Sequence, residues 1–144
     1  MPLLPPVPYS VVVVDDTYEL RCLWKLILDR DERYAVVADA ANGQTGAAAA
    51  ALHQPDLVLL DIAMPVMDGI EALALIRRQS PHSTVVMHSS FSQDSAQAEL
   101  ARRMGAHGFI RNGLRRQALL GKLEAILRHR AGAAATSAQF EAVE

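Results

Sequence analysis

Residues 56–69 read DLVLLDIAMPVMDG. Leu57-Val58-Leu59-Leu60 is an apolar run that stops at a carboxylate, Asp61. A loop containing Pro65 follows, and Asp68-Gly69 opens an amphipathic segment. A short apolar run with turn residues on both sides predicts a strand buried on both faces, as in a parallel sheet. Asp61 then stands at the carboxyl end of that strand. In open α/β sheets this is the edge where ligands bind, so Asp61 is read as the reactive group.

Working outward, the same pattern recurs. Val11 to Val14 is a second buried run, and it too ends in carboxylates, Asp15 and Asp16. Thr17 is placed to cap a helix over about 17–30, with Leu20, Leu23, Trp24, Ile27 and Leu28 at helical spacing. Trp24 and Cys22 are expected in or near the core. Residues 34–38 read as a strand, Asn42-Gly43 as a turn, and the alanine-rich 44–53 as a helix stopped by Pro55. After the central strand, 69–79 is a helix capped by Asp68, and 84–88 is a strand followed by Ser89 and Ser90. A more polar helix covers 93–104. Gly105-Ala106-His107-Gly108 is a turn, Phe109-Ile110 a short strand, and 114–130 a last helix with a stripe of Leu119, Leu120, Leu123, Ile126 and Leu127. Five strands alternating with five helices predict a doubly wound α/β fold with a parallel sheet and right-handed crossovers.

Composition narrows the function. The chain has 144 residues, 51% apolar and 21% charged, with a formal net charge of -2. That suits one soluble domain and gives no electrostatic reason to expect nucleic acid or membrane as a partner. The single cysteine, Cys22, excludes an internal disulfide and a multi-cysteine metal site, and fits a cytoplasmic protein. No apolar run reaches the roughly 18 residues of a membrane span. Residues 1–8 read as a flexible leader, 9–130 as the folded domain and 131–144 as a frayed, alanine-rich tail. His53, His82, His107 and His129 lack metal-ligand spacing. His88 is sent by strand alternation to the side of the sheet opposite Ser89, where a packing role is expected.

The chemistry lies at one edge. Strand ends bring Asp15 and Asp16, Asp61 and Ser89 to the same side of a parallel sheet. Clustered carboxylates repel one another in a partly dry crevice, and a hard divalent cation such as Mg²⁺ relieves this. A carboxylate beside such a metal can attack phosphorus and form an acyl phosphate.

The sequence resembles receiver domains of two-component response regulators over roughly residues 9–130. VVVVDD at 11–16, LVLLDIAMPVMDG at 57–69, VVMHSS at 85–90 and GAHGFI at 105–110 carry the resemblance, in order and spacing together. The spacing of Arg21 to Leu26-Ile27-Leu28 and the ALALIRRQSP of 72–81 are most similar to the nitrate-response type. The DNA-binding helix-turn-helix that usually follows that type is not among these residues. The resemblance implies a flavodoxin-like (βα)5 fold with strand order 2-1-3-4-5. It implies that Asp61 is the phosphoacceptor, and that Asp15, Asp16, Asp61 and the backbone carbonyl of Ala63 hold Mg²⁺. Ser89 is implied as the switching hydroxyl and Phe109 as the switching aromatic. The implied partners are a histidine kinase or histidine phosphotransfer protein, a downstream protein that reads the face of the fourth helix, fifth strand and fifth helix, and a second copy in a homodimer.

One position departs from the family. Its lysine is replaced by Asn112, followed by Gly113. A neutral amide in place of an ammonium weakens a phosphoryl contact roughly twofold. Arg111 points away by alternation, and without proline the family's cis peptide is not expected. A second reading is therefore a phosphorylation-independent adaptor acting through protein contacts. An aspartyl phosphatase is disfavoured, because such enzymes carry a second acid two residues after the nucleophile and here that residue is Ala63. Ala63 and Phe91 are both apolar, and neither can orient an attacking water, so slow self-dephosphorylation is expected.

Overall fold

The computed structural model describes residues 7–64, 67–89 and 96–143, with side chains described as far as residue 132. The elements run in the order β1 (Tyr9–Val14), α1 (Tyr18–Asp29), β2 (Tyr34–Ala40), α2 (Gly43–His53), β3 (Leu57–Asp61), α3 (Gly69–Gln79), β4 (Thr84–Ser89), α4 (Ala96–Arg103), β5 (Gly108–Arg111) and α5 (Arg116–Val143). The strands form one parallel sheet in the order β2-β1-β3-β4-β5. This is the flavodoxin-like (βα)5 arrangement expected from the sequence.

The apolar runs become inner strands for the reason anticipated. Val11 to Val14 and Leu57 to Leu60 have no exposed surface, because both faces of β1 and β3 are covered. On one face Val12, Val14, Val58, Leu60, Val85 and Met87 pack with Ala47 and Ala50 of α2, Ala72, Leu73 and Ile76 of α3, and Ala101 of α4. On the other, Trp24 and Leu28 of α1 are buried. Gly46 shows why α2 is built from small residues. A Cβ there would lie 2.6 and 2.7 Å from the two methyls of Val14.

Several local expectations are corrected. Thr17 occupies the N-cap of α1, but its side chain makes no capping bond. Instead its N–H donates to Oδ1 of Asp15 at 2.8 Å, turning that carboxylate inward. Leu23 and Cys22 are exposed rather than core, with Leu23 at 50%, since the buried stripe of α1 narrows to Trp24 and Leu28. Asn42 is more than a turn residue. Its side chain caps α2 by accepting from the Thr45 N–H at 2.9 Å. Strand β2 runs to Ala40, two residues beyond the expected end, with a register shift between Val11 and Val12 that sets Val36 and Ala38 as neighbouring partners. The fifth helix does not stop near residue 130 but continues to Val143, in keeping with the high helix propensity of alanine. The residues from Gly113 onward, α5 included, form a compact unit separate from the one that ends at Asn112. Asp68 caps α3 as expected, accepting from the Glu71 N–H at 2.9 Å.

Candidate functional site

Asp61 is the last residue of β3, 9% exposed. Its Oδ1 accepts from the Ala63 N–H at 3.3 Å. Asp15 follows directly on β1 and is fully buried, whereas Asp16 is exposed. Each of the three can offer one carboxylate oxygen to a common point, with those oxygens within 4.8 Å of one another. Among the described residues this is the only group of three or more acids, histidines or cysteines so gathered. The gathering follows from β1 and β3 being neighbours in register, with Val14 opposite Leu60. The next residue of each strand is an acid.

The electrostatics are those of a site short of positive charge. Burial, then the neighbouring Asp15, pushes the Asp61 carboxyl up to about 7, against the pull of the Ala63 N–H. Burial also raises Asp15, opposed by the Thr17 N–H. Arg21 lies close, but its Nη1 donates to the Asp15 carbonyl at 2.8 Å and its Nε pairs with Asp39. Oδ2 of Asp15 is buried without a hydrogen-bond partner. An all-oxygen set with raised acids and a spare buried carboxylate oxygen fits a hard divalent cation. Beside it opens a cleft lined by Asp16, Ala63, Met64, Asp68 and Gln97, with Ile62 and Ile70.

The other expected residues fall around this centre. Ser89 ends β4 and is 2% exposed. Its carbonyl accepts from the Asn112 N–H at 2.8 Å. Phe109, on β5 opposite Met87, is half-buried against the core. Ala63 is exposed beside the cleft. Asn112 is half-buried, and Arg111 is exposed. Gly113 has φ 91, a left-handed value that suits glycine, and no cis peptide occurs among the described residues. Phe91 and Ser90 lie outside the described residues, as does Pro65.

His88 was expected to be a packed residue, and it is fully buried against Trp24. The sequence reading missed that it also adjoins the acids, with Nδ1 3.6 Å from Oδ2 of Asp15. The clue lay in strand register. Asp61 pairs with His88 across β3 and β4, and residues in register share a face.

A parallel sheet in this order, with acids gathered at the ends of its first and third strands, defines a receiver-type phosphoacceptor domain. The chain belongs to the response regulator receiver domain family, which matches residues 11–124. It is therefore a receiver domain of two-component phosphorelay signalling. It is 36% identical over 115 residues to the chemotaxis protein CheY of Listeria monocytogenes, covering 80% of this chain and 95% of that protein. It is 42% identical over 100 residues to a protein-glutamate methylesterase/protein-glutamine glutaminase of Rhodospirillum rubrum, covering 69% of this chain. The chain spans only 26% of the length of that relative. Among solved structures, the response regulator domain of Thermotoga maritima CheB is 32% identical, with a TM-score of 0.77 over 85% of this chain and 96% of that one. The CheY in a CheX–CheY–BeF3–Mg complex from Borrelia burgdorferi is 28% identical, with a TM-score of 0.77 over 83% and 90%.

Proposed function

We propose that this receiver accepts a phosphoryl group on Asp61 from a histidine kinase or histidine phosphotransfer protein, in a two-component relay. The single observation that carries the reading is the convergence of Asp15, Asp16 and Asp61 within 4.8 Å. An Asp61 oxygen forms the new bond to phosphorus as the phosphorus–nitrogen bond of the donor phosphohistidine breaks, and the freed imidazole takes up a proton. Asp61 must be ionised to attack, yet burial, then the neighbouring Asp15, holds its carboxyl near 7. Asp15, Asp16, Asp61 and the Ala63 carbonyl would hold Mg²⁺, which supplies charge neutralisation for the acids and the transferred group. A CheY relative at 28% identity is known in complex with BeF3 and Mg. Ser89 serves as the switching hydroxyl and Phe109 as the switching aromatic, reporting to the face of α4 and β5, where a downstream protein or a second copy binds. The reading places the protein in the cytoplasm. The likeness to nitrate-response receivers rests on two helix patterns, and chemotaxis receivers are similar at 36% and 32% identity.

Incubation with acetyl phosphate and Mg²⁺, followed by intact mass, tests the phosphoacceptor. The expected result is one phosphoryl adduct, lost in Asp61→Asn. No adduct under conditions that label an ordinary receiver would sink the reading. With Ala63 apolar and exposed beside the site, the adduct is expected to persist for minutes or longer, and loss within seconds would count against that.

Asn112 favours a second reading, an adaptor that works through protein contacts without phosphate. Its amide cannot supply the charge-assisted contact of the family lysine. Partner binding that is unchanged between phosphorylated protein and Asp61→Asn would select this reading over the first.

A further inference from the structure

His88 is unused in the chemistry above, yet its surroundings are unusual for a residue that only fills space. The ring is fully buried and packs on Trp24, with centroids 5.3 Å apart. Nδ1 lies 3.6 Å from Oδ2 of Asp15. Both ring nitrogens and that carboxylate oxygen lack a hydrogen-bond partner, so three buried polar atoms are gathered unsatisfied in one place. A valine at this position would remove two of the three, and buried unsatisfied groups in native folds call for a functional account. The other Asp15 oxygen is already fixed by the Thr17 N–H. Only the His88 side of the carboxylate is free to be set.

The protonation state fits a positioning role. The ring is fully buried beside the Val14 carbonyl and the Asn112 side chain, and burial favours its neutral form. A neutral imidazole has one donor and one acceptor. Asn112, two residues beyond Ile110, the register partner of His88, returns to the same side of the sheet. Its amide carries both a donor and an acceptor, and so can serve whichever nitrogen Asp15 leaves. A lysine ammonium could only donate.

We propose that His88 is a positioning residue of the acid pocket: its Nδ1–H donates to Oδ2 of Asp15 as the pocket closes on a divalent cation, with Asn112 engaging the remaining nitrogen. The proposal rests on the reading that Asp15, Asp16 and Asp61 hold Mg²⁺. It gives Asn112 a task of its own, keeping the imidazole in place, where the family lysine would reach for phosphate.

Calorimetric Mg²⁺ titration of the whole chain tests it, with melting temperature measured alongside without Mg²⁺. His88→Val removes both nitrogens, and His88→Asn keeps an amide N–H near the position of Nδ1. His88→Val is expected to bind Mg²⁺ about tenfold more weakly, and His88→Asn within about threefold of the parent. The melting temperature of His88→Val is expected to hold or rise, which a purely structural role would not give together with weakened binding. Equal Mg²⁺ affinity in parent and His88→Val overturns the role of His88 alone. Absence of Mg²⁺ binding by the parent overturns the metal reading and this inference with it. Should His88→Val fail to fold, His88→Gln replaces it, because its amide sits one bond too far out. Equal affinity of the Asn and Gln variants would then refute the proposal.

Discussion

Asp61 and His88 are buried neighbours whose shifts tie stability to pH in opposite senses. The Asp61 carboxyl is raised from 3.8 to about 7 in the folded chain. Between those values the native state holds a proton that the unfolded state has released, so stability falls as pH rises through the window. The His88 imidazole is lowered from 6.5 to about 4. There the unfolded state holds the extra proton, so stability rises with pH over that range. The two contributions oppose each other from about pH 4 to 6.5. Asp61→Asn removes the falling limb. Its stability relative to the parent is expected to be equal near pH 4 and greater by about 4 kcal/mol at pH 8. Denaturant melts at pH 4, 6 and 8 check this, and equal stability at pH 8 would show that Asp61 is not raised. At this scale the sequence was legible for the acids, because a strand that ends in Asp announces itself. It was not legible for Leu23 and Cys22, whose helical spacing placed them with the core while the surface of α1 left them exposed.

Elements are held together by contacts that reach across the chain. The N–H of Val85, at the fully buried start of β4, donates to Nδ1 of His107 at 2.9 Å, and the His107 N–H donates back to the Val85 carbonyl at 2.8 Å. The imidazole thus extends the ladder just before β5 begins. His107→Ala leaves the Val85 N–H unpaired and is expected to cost about 1–3 kcal/mol, read as a lower denaturant midpoint with unchanged slope. Gly46 presents a conflict between two effects. Alanine within a helix gains up to about 1 kcal/mol over glycine. Its Cβ, however, would sit 2.6 Å from a methyl of Val14, on a strand with no room to move. Overpacking of this kind costs about 1–3 kcal/mol, so Gly46→Ala is expected to destabilise on balance, and a more stable variant would show that β1 and α2 can separate. The sequence showed that α2 packs closely through small residues. Which small residue has no spare space depends on where α2 crosses β1. Likewise, 105–108 read as a turn gave no hint that His107 completes a sheet bond.

At the scale of the whole molecule, the fold carries a cluster of like charges that a cation would relieve. Mg²⁺ binds only the assembled site, so it is expected to raise the melting temperature by a few degrees at pH 7.5. Because Asp61 protonates below about 7, the rise is expected to shrink at pH 5, where the cation must displace a proton. A scan of melting temperature with and without Mg²⁺ at both pH values checks this, and an equal rise at both would argue against Asp61 as a ligand. The sequence by itself determined the alternation of strands and helices, the strand order through its family likeness, and the placing of Asp15, Asp16 and Asp61 on one edge. These follow from local periodicity and from the rule that parallel strands end on the same side. Only the tertiary structure decided that His88 lies against Asp15, that His107 closes the ladder to β4 and that Gly46 rests on Val14. Each depends on register and crossing geometry between segments distant in the chain, and no local pattern encodes the lateral position at which two such segments meet.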